Sequence, residues 1–251
     1  MTRTRWLVLL LLLTVACISR VHGQGGPPLI TDDTETPGPG KWEIDVAATT
    51  ELRHLGERQF QVPFLDINYG VGKNIELNYD LPLLVSANRN QSTQAGLGDS
   101  LIGVKWRFVD EEVAGVAISM FPQYTFNTPA GSVRHSLVAN DQNVYLPFEF
   151  QKVIGVIELN LEAGPDIHIS GPSEADYGLA AGHTFGNLEI LGEIHGSTVG
   201  DFQEDDLVVE AGFRYQIKEG YTVLFSIGRS VYSAGTPAAT FLSYTGMQFN
   251  F

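Results

Sequence analysis

The stretch Ala239-Thr240-Phe241-Leu242-Ser243-Tyr244-Thr245-Gly246-Met247-Gln248-Phe249-Asn250-Phe251 decides how the rest of the chain is read. Every second residue back from the end gives one row: Phe251, Phe249, Met247, Thr245, Ser243, Phe241. The other row is Asn250, Gln248, Gly246, Tyr244, Leu242. Period-2 alternation without a charge is a β-strand with one apolar and one mostly polar face. Chain ends usually fray into water, so a strand ending on an aromatic residue is unusual for a soluble domain. Two readings fit: the closing strand of a membrane barrel, with its last ring at the bilayer interface, or the last strand of a secreted sandwich.

The N-terminus bears on the choice. Arg3 and Arg5 precede an apolar run from Trp6 to Ala16, followed by a polar stretch ending Val21-His22-Gly23. This is the pattern of a secretory signal peptide, too short for the roughly 20 apolar residues of a spanning helix. Residues 1–23 are therefore the expected leader, with cleavage after Gly23. A lipoprotein reading of Thr14-Val15-Ala16-Cys17 is opposed by Thr14, where leucine is expected. Cys17 is the only cysteine, so the mature chain is expected to have no disulfide, and a closed barrel is one way to be stable without them. Without Arg3, Arg5 and Arg20 the balance is 12 basic against 29 acidic residues, a net of −17. So acidic a chain is a poor partner for nucleic acid. No later segment is apolar enough for a transmembrane helix, so a membrane residence requires a barrel.

Residues 24–40, with Pro27, Pro28, Pro37 and Pro39, read as an irregular Pro-rich segment, and residues 41–251 as one all-β domain. Alternation starts at Trp42-Ile44-Val46 and returns in Leu65-Ile67-Tyr69, Ile75-Leu77-Tyr79-Leu81 and Ile102-Val104-Trp106-Phe108. It continues through eight further rows, about twelve strands in all. The links at Gly72-Lys73-Asn74, Asp110-Glu111-Glu112, Val153-Ile154-Gly155, Gly186-Asn187 and Lys218-Glu219-Gly220 are short. The six others, such as 86–96, 127–141 and 165–174, are longer. Alternating short and long links place all tight turns on one rim, as in a transmembrane up-and-down antiparallel barrel of bacterial outer-membrane type. A Greek-key sandwich has no such rule.

Charge sorts by face. The proposed lumen row carries Glu43, Asp45, Glu51, Asp66, Glu76, Asp80, Glu149, Glu158, Glu162, Asp176, Glu189, Glu193 and Glu210 against Lys105, Arg107 and Arg214. A midplane Lys or Arg facing lipid costs roughly 2–4 kcal/mol, so lipid would impose this sorting. Aromatics crowd the opposite row near strand ends: Trp42, Tyr69, Trp106, Phe108, Tyr215, Tyr221, Phe249 and Phe251 toward the tight-turn rim, with Tyr124, Phe126, Tyr177 and Phe241 toward the other. Two such girdles are expected at the two interfaces with lipid. The lumen acids are the candidate selectivity residues, because rings of Asp and Glu attract cations and repel anions. Thirteen acids cannot all pair with three bases. Inward folding of 24–40, or of 127–141, as a plug is the alternative to an open lumen.

Nothing points to a nucleotide loop, a zinc cluster, a thiol site or any cofactor. For a Ser–His hydrolase, His183 and Ser243 are the outward candidates, but four strands separate them, and a nucleophile must touch its base. His135-Ser136 is read as solvated. Glu204-Asp205-Asp206 beside Asp201 could offer Ca²⁺ hard oxygens, or be a solvated acidic loop. Asn90-Gln91-Ser92 matches a glycosylation pattern and is discounted in a bacterial-type barrel.

Two stretches carry a family resemblance. They are Pro27-Pro28-Leu29-Ile30-Thr31-Asp32-Asp33 through Pro37-Gly38-Pro39-Gly40-Lys41-Trp42-Glu43-Ile44, and Gly96-Leu97-Gly98-Asp99-Ser100-Leu101-Ile102-Gly103-Val104-Lys105-Trp106-Arg107-Phe108. Both resemble the outer-membrane β-barrel family labelled as transporter-like proteins of the meta-pathway of phenol degradation. The resemblance implies a bacterial outer-membrane location, contact with outer-membrane lipid, and recognition of the C-terminal strand by the barrel-assembly machinery. It carries no binding residues. The expected function is a passive channel or transporter for small solutes, aromatic or hydrophobic compounds among them. A non-transporting structural or adhesive barrel is the alternative, and an outer-membrane hydrolase a third reading.

Overall fold

The computed structural model describes residues 26–89, 92–128, 130–134, 137–199, 205–234 and 237–251. The expected leader with Cys17, Asn90-Gln91, His135-Ser136, and Asp201 with Glu204 lie outside the described residues.

Fifteen strand segments make twelve barrel strands, because three strands are each interrupted once. They are β1 (Trp42–Arg53), β2 (Arg58–Val71), β3 (Ile75–Ser86) and β4 (Gln94–Leu97 and Asp99–Val109). Next come β5 (Ala117–Met120 and Gln123–Asn127), β6 (Asn143–Tyr145 and Phe148–Ile154), β7 (Ile157–His168) and β8 (Glu174–Phe185). The last four are β9 (Leu188–Val199), β10 (Asp205–Lys218), β11 (Tyr221–Ala234) and β12 (Ala239–Asn250). The interruptions fall at Gly98, Phe121-Pro122 and Leu146-Pro147, and proline cannot donate to the ladder. Each strand pairs antiparallel with its chain neighbours, and β1 pairs with β12, so the sheet is closed. The seam is tied at the rim by reciprocal bonds between Trp42 and Phe251: the Trp42 N–H donates to the Phe251 carbonyl at 2.8 Å and the Phe251 N–H returns at 3.0 Å.

Five tight turns follow β2, β4, β6, β8 and β10, the second containing the short helix α1 (Glu111–Ala114). Each uses a glycine at positive φ (Gly72, Gly115, Gly155, Gly186 and Gly220, at 64° to 76°), where a side chain would be strained. Both ends of the barrel lie on that rim. On the other rim the strands run further than expected, so the 165–174 link shrinks to 169–173. Strands reach 14 residues there, beyond the 9–11 a bilayer requires, because hairpin pairing continues past the apolar belt. The 127–141 loop holds a short helix α2 (Ala130–Arg134) and rests on the start of β4, where the Ser132 hydroxyl donates to the Leu97 carbonyl at 2.6 Å.

Burial is inverted relative to a soluble domain. Val104, Leu161, Leu179, Ile190 and Ile227 on the outer face are each 46–52% exposed, whereas Asp45, Ser119, Glu149 and Ser226 on the inner face are 0% exposed. No helix among the described residues is long and apolar enough to cross a membrane. The large apolar side chains that the strands expose lie on their outer face.

Candidate functional site

An eight-stranded barrel is just filled by its own side chains; twelve strands leave room. Two things occupy it: the Pro-rich segment, and a chamber beside it.

Residues 26–36 run inside the barrel. The Arg214 guanidinium donates to the carbonyls of Pro27 (2.8 Å) and Gly26 (2.9 Å), and the Ser226 hydroxyl to that of Pro28 (2.8 Å). The N–H groups of Ile30 and Thr31 donate to the two oxygens of Glu193 at 2.9 and 2.8 Å, and that of Asp32 to Glu162 at 2.8 Å. Lys105 Nζ sits 2.9 Å from Asp32 and 4.9 Å from the centre of the Phe121 ring. Arg107 pairs with Glu35 at 2.8 Å, and the Thr34 hydroxyl meets Gln151. Leu29 packs on Ala180 and Leu191. Of the two plug alternatives raised by the sequence, the Pro-rich segment is the one that enters the lumen.

This segment is short of its own backbone partners, so the barrel wall supplies them. Acidic wall residues accept its N–H groups and basic ones donate to its carbonyls, each a charge-assisted bond. Burial pushes the Asp33 carboxyl up to about 6, with the Lys105 ammonium pulling the other way and Asp32 and Glu35 adding to the rise.

The wall acids are placed as the alternation requires. Asp45, Asp66, Glu76, Glu149, Glu158, Glu162, Glu189, Glu193 and Glu210 are buried inside with Lys105 and Arg214; Glu43, Asp80 and Arg107 face the same way, part-buried. Two of the three bases reach carboxylates of the plug, Lys105 to Asp32 and Arg107 to Glu35. Arg214 reaches the wall acid Glu189 at 3.3 Å. Several of the remaining acids meet neutral donors. Asn68 and Asn78 donate to Asp66 at 2.9 and 2.8 Å, Asn78 to Asp80 at 3.1 Å, Asn160 to Glu158 at 3.2 Å, and the Tyr145 hydroxyl to Glu162 at 2.6 Å. A neutral donor satisfies an oxygen without supplying a counter-charge. The sequence reading missed these partners. Their signal was the spacing Asp66-x-Asn68, Asn78-x-Asp80 and Glu158-x-Asn160, which puts amide and carboxylate on one face of one strand.

A chamber of about 560 Å³ lies between the plug and the barrel wall, lined by Phe64, Asp66, Asn78, Asp80 and Tyr244 on one side and by Lys105, Phe121, Tyr145, Glu162 and Glu210 on others. On the far wall, Glu193 and Glu210 stand directly opposite across β9 and β10, and His195 Nε2 lies 4.0 and 3.7 Å from them. Ligand atoms of these three come within 4.8 Å of one another, a set that could hold a divalent ion. Both Glu193 oxygens already accept plug N–H groups, which competes with that use.

The aromatics expected to form girdles face outward. Trp42, Trp106, Phe108, Tyr215, Tyr221 and Phe251 are exposed, and Tyr69 and Phe249 are half-buried against neighbouring rings. The hydrolase candidates do not meet: His183 on β8 bonds the Val156 carbonyl at 2.6 Å, and Ser243 lies on β12.

No family model and no curated protein matches the chain. Solved structures do. The COG4313 outer membrane channel from Pseudomonas putida F1 aligns with a TM-score of 0.68 at 13% identity, covering 87% of this chain and 98% of that one. The KdgM porin aligns at 0.54 and 11%, covering 83% and 99%, and was also solved with disordered oligogalacturonate. The translocator domain of the autotransporter NalP from Neisseria meningitidis aligns at 0.53 and 11%, covering 85% and 89%. At such identities the likeness is one of fold, that of outer-membrane β-barrels.

Proposed function

We propose that the protein is a passive channel of the bacterial outer membrane for small solutes, narrowed by its own N-terminal segment and selective against anions. The carrying observation is the inverted barrel: exposed apolar side chains outside, around a wall of buried carboxylates with few basic partners. The barrel has the fold of two solved channels, which supports the transport reading. Recognition by the assembly machinery through β12, and the girdle role of Trp42, Tyr69, Trp106, Phe108, Tyr215, Tyr221, Phe249 and Phe251, belong to the same proposal. So does the phenol-pathway resemblance, which suggests aromatic or hydrophobic cargo.

The acids argue for a cargo unlike one partner of the porin comparison. A uronate oligomer carries one carboxylate per sugar, and rings of Asp and Glu repel anions. Purified protein in a planar bilayer should give discrete conductance steps with cation preference at low salt. Replacing Glu76→Gln, Asp80→Asn, Glu158→Gln and Glu162→Gln together should bring the cation-to-anion ratio toward unity. A barrel without conductance steps, or with anion preference, overturns the proposal. The plug's many wall contacts favour a second reading, a non-transporting structural barrel; under it the four-amide variant changes nothing electrical.

A further inference from the structure

We propose that the chamber beside the plug is a binding site for a small organic cation, an ammonium carrying an aryl or short alkyl group. The inference rests on the channel reading for its biological sense and on four observations for its chemistry.

First, Asp45, Asp66 and Asp80 stand in register across β1, β2 and β3, each directly opposite the next. Like charges directly opposite destabilise a sheet, so such a ladder calls for shared protons or for a positive charge. Second, the wall does not supply it. Asp66 and Asp80 share the Asn78 amide and a proton between their own carboxyls, and Asn68 adds a bond to Asp66; none of these brings a positive charge. Lys105 and Arg107 are held by Asp32 and Glu35 of the plug, and Arg214 by Glu189 and plug carbonyls. Third, polar atoms there want a partner. Tyr244 lines the chamber, is 9% exposed, and its hydroxyl has no hydrogen bond. Asp45, wholly buried beside Asp66 and not itself lining the chamber, has neither oxygen in a well-formed bond, although the Gln248 amide lies beside it. Fourth, Phe64 and Tyr244 meet edge to face, centroids 6.5 Å apart at 84°, forming an aromatic corner in the same chamber. Phe64 is two residues from Asp66 on β2, so ring and carboxylate face inward together.

The geometry separates an organic cation from a metal ion. Among the described residues, Glu193, His195 and Glu210 come close enough to share one metal ion, whereas the three aspartates of the ladder do not form such a set. An ammonium group is larger, bridges two carboxylates, and is attracted by the face of an aromatic ring. The volume, about 560 Å³, lies within the range of small-molecule sites. The ammonium is placed between Asp66 and Asp80, with its apolar part against Phe64 and Tyr244.

The test is isothermal titration of the full mature chain in detergent with benzyltrimethylammonium, alongside benzyl alcohol and phenylacetate. Saturable binding of the ammonium is expected, weakening as NaCl rises, with both other probes at least tenfold weaker. The pair Asp66→Asn and Asp80→Asn should weaken it at least tenfold, and Phe64→Leu about threefold. Heat-modifiable gel mobility certifies that each variant has folded; should the double amide fail this check, Phe64→Leu carries the test. Benzyl alcohol binding as tightly as the ammonium, or affinity unchanged in the variants, overturns the inference. Conductance from the same preparation is scored separately. Conductance without ammonium binding overturns the site and leaves the channel standing; binding without conductance supports the site and removes the channel.

Discussion

Lys105 is 3% exposed inside the barrel, with Asp32 at 2.9 Å and Asp33 at 4.0 Å. Removing one member of a buried pair leaves the other uncompensated, at a cost of about 3–5 kcal/mol. Lys105→Met should therefore unseat the plug while the hydrogen-bonded wall persists. The measurement is maleimide labelling of Thr34→Cys, whose side chain is 0% exposed when docked; labelling should rise at least tenfold. Asp33 adds a pH dependence. Its carboxyl is raised from 3.8 to about 6 on docking, chiefly by burial, so the docked state prefers the protonated form. Its contribution to docking is full below about 3.8 and lost as pH rises through about 6. The ratio of labelling rates between the parent and Asp33→Asn should rise between pH 4 and pH 7; a flat ratio would count against the assignment. The acids themselves were legible in the sequence one by one. What each acid touches was not, because Glu193 meets Ile30 and Thr31 from more than 160 residues away.

At the scale of elements, the plug depends on places where the wall carries no side chain. A Cβ on Gly178 would lie 2.2 Å from the Thr31 hydroxyl oxygen, and one on Gly70 1.8 Å from the Gly38 carbonyl. Gly178→Val adds bulk to the lumen without touching a charge. It should raise both Thr34→Cys labelling and unit conductance, read in the same bilayer assay. Removing residues 26–37 should raise unit conductance severalfold and keep heat-modifiable mobility, because the twelve-strand ladder closes without them. The strands were legible where alternation ran unbroken, as in Ile75 to Leu83. They were hidden where the register shifts. The first half of β2, Arg58 to Gln61, precedes a bulge between Gln61 and Phe64, and a bulge breaks the period that reveals a strand. The paired extensions of β7 and β8 past the apolar belt lack an apolar row and read as loop.

At the scale of the whole molecule, the barrel is a polar lining inside an apolar sleeve. The four-amide variant tests that lining as a field rather than as contacts. Its loss of cation preference should be largest at low salt, since screening already shortens the reach of these charges to about 10 Å at 0.1 M. By itself the sequence determined which face of each strand is oily, where the tight turns fall, and that the first strand begins and the last strand ends on one rim. These follow from a two-residue period and from glycine, properties of neighbours in the chain. Only the tertiary structure decided that the Pro-rich segment threads the lumen, that two of its three bases answer plug carboxylates, and that an aromatic corner stands over the aspartate ladder. Those outcomes depend on segments brought together across the barrel, and a local period carries no record of which distant wall a strand will face.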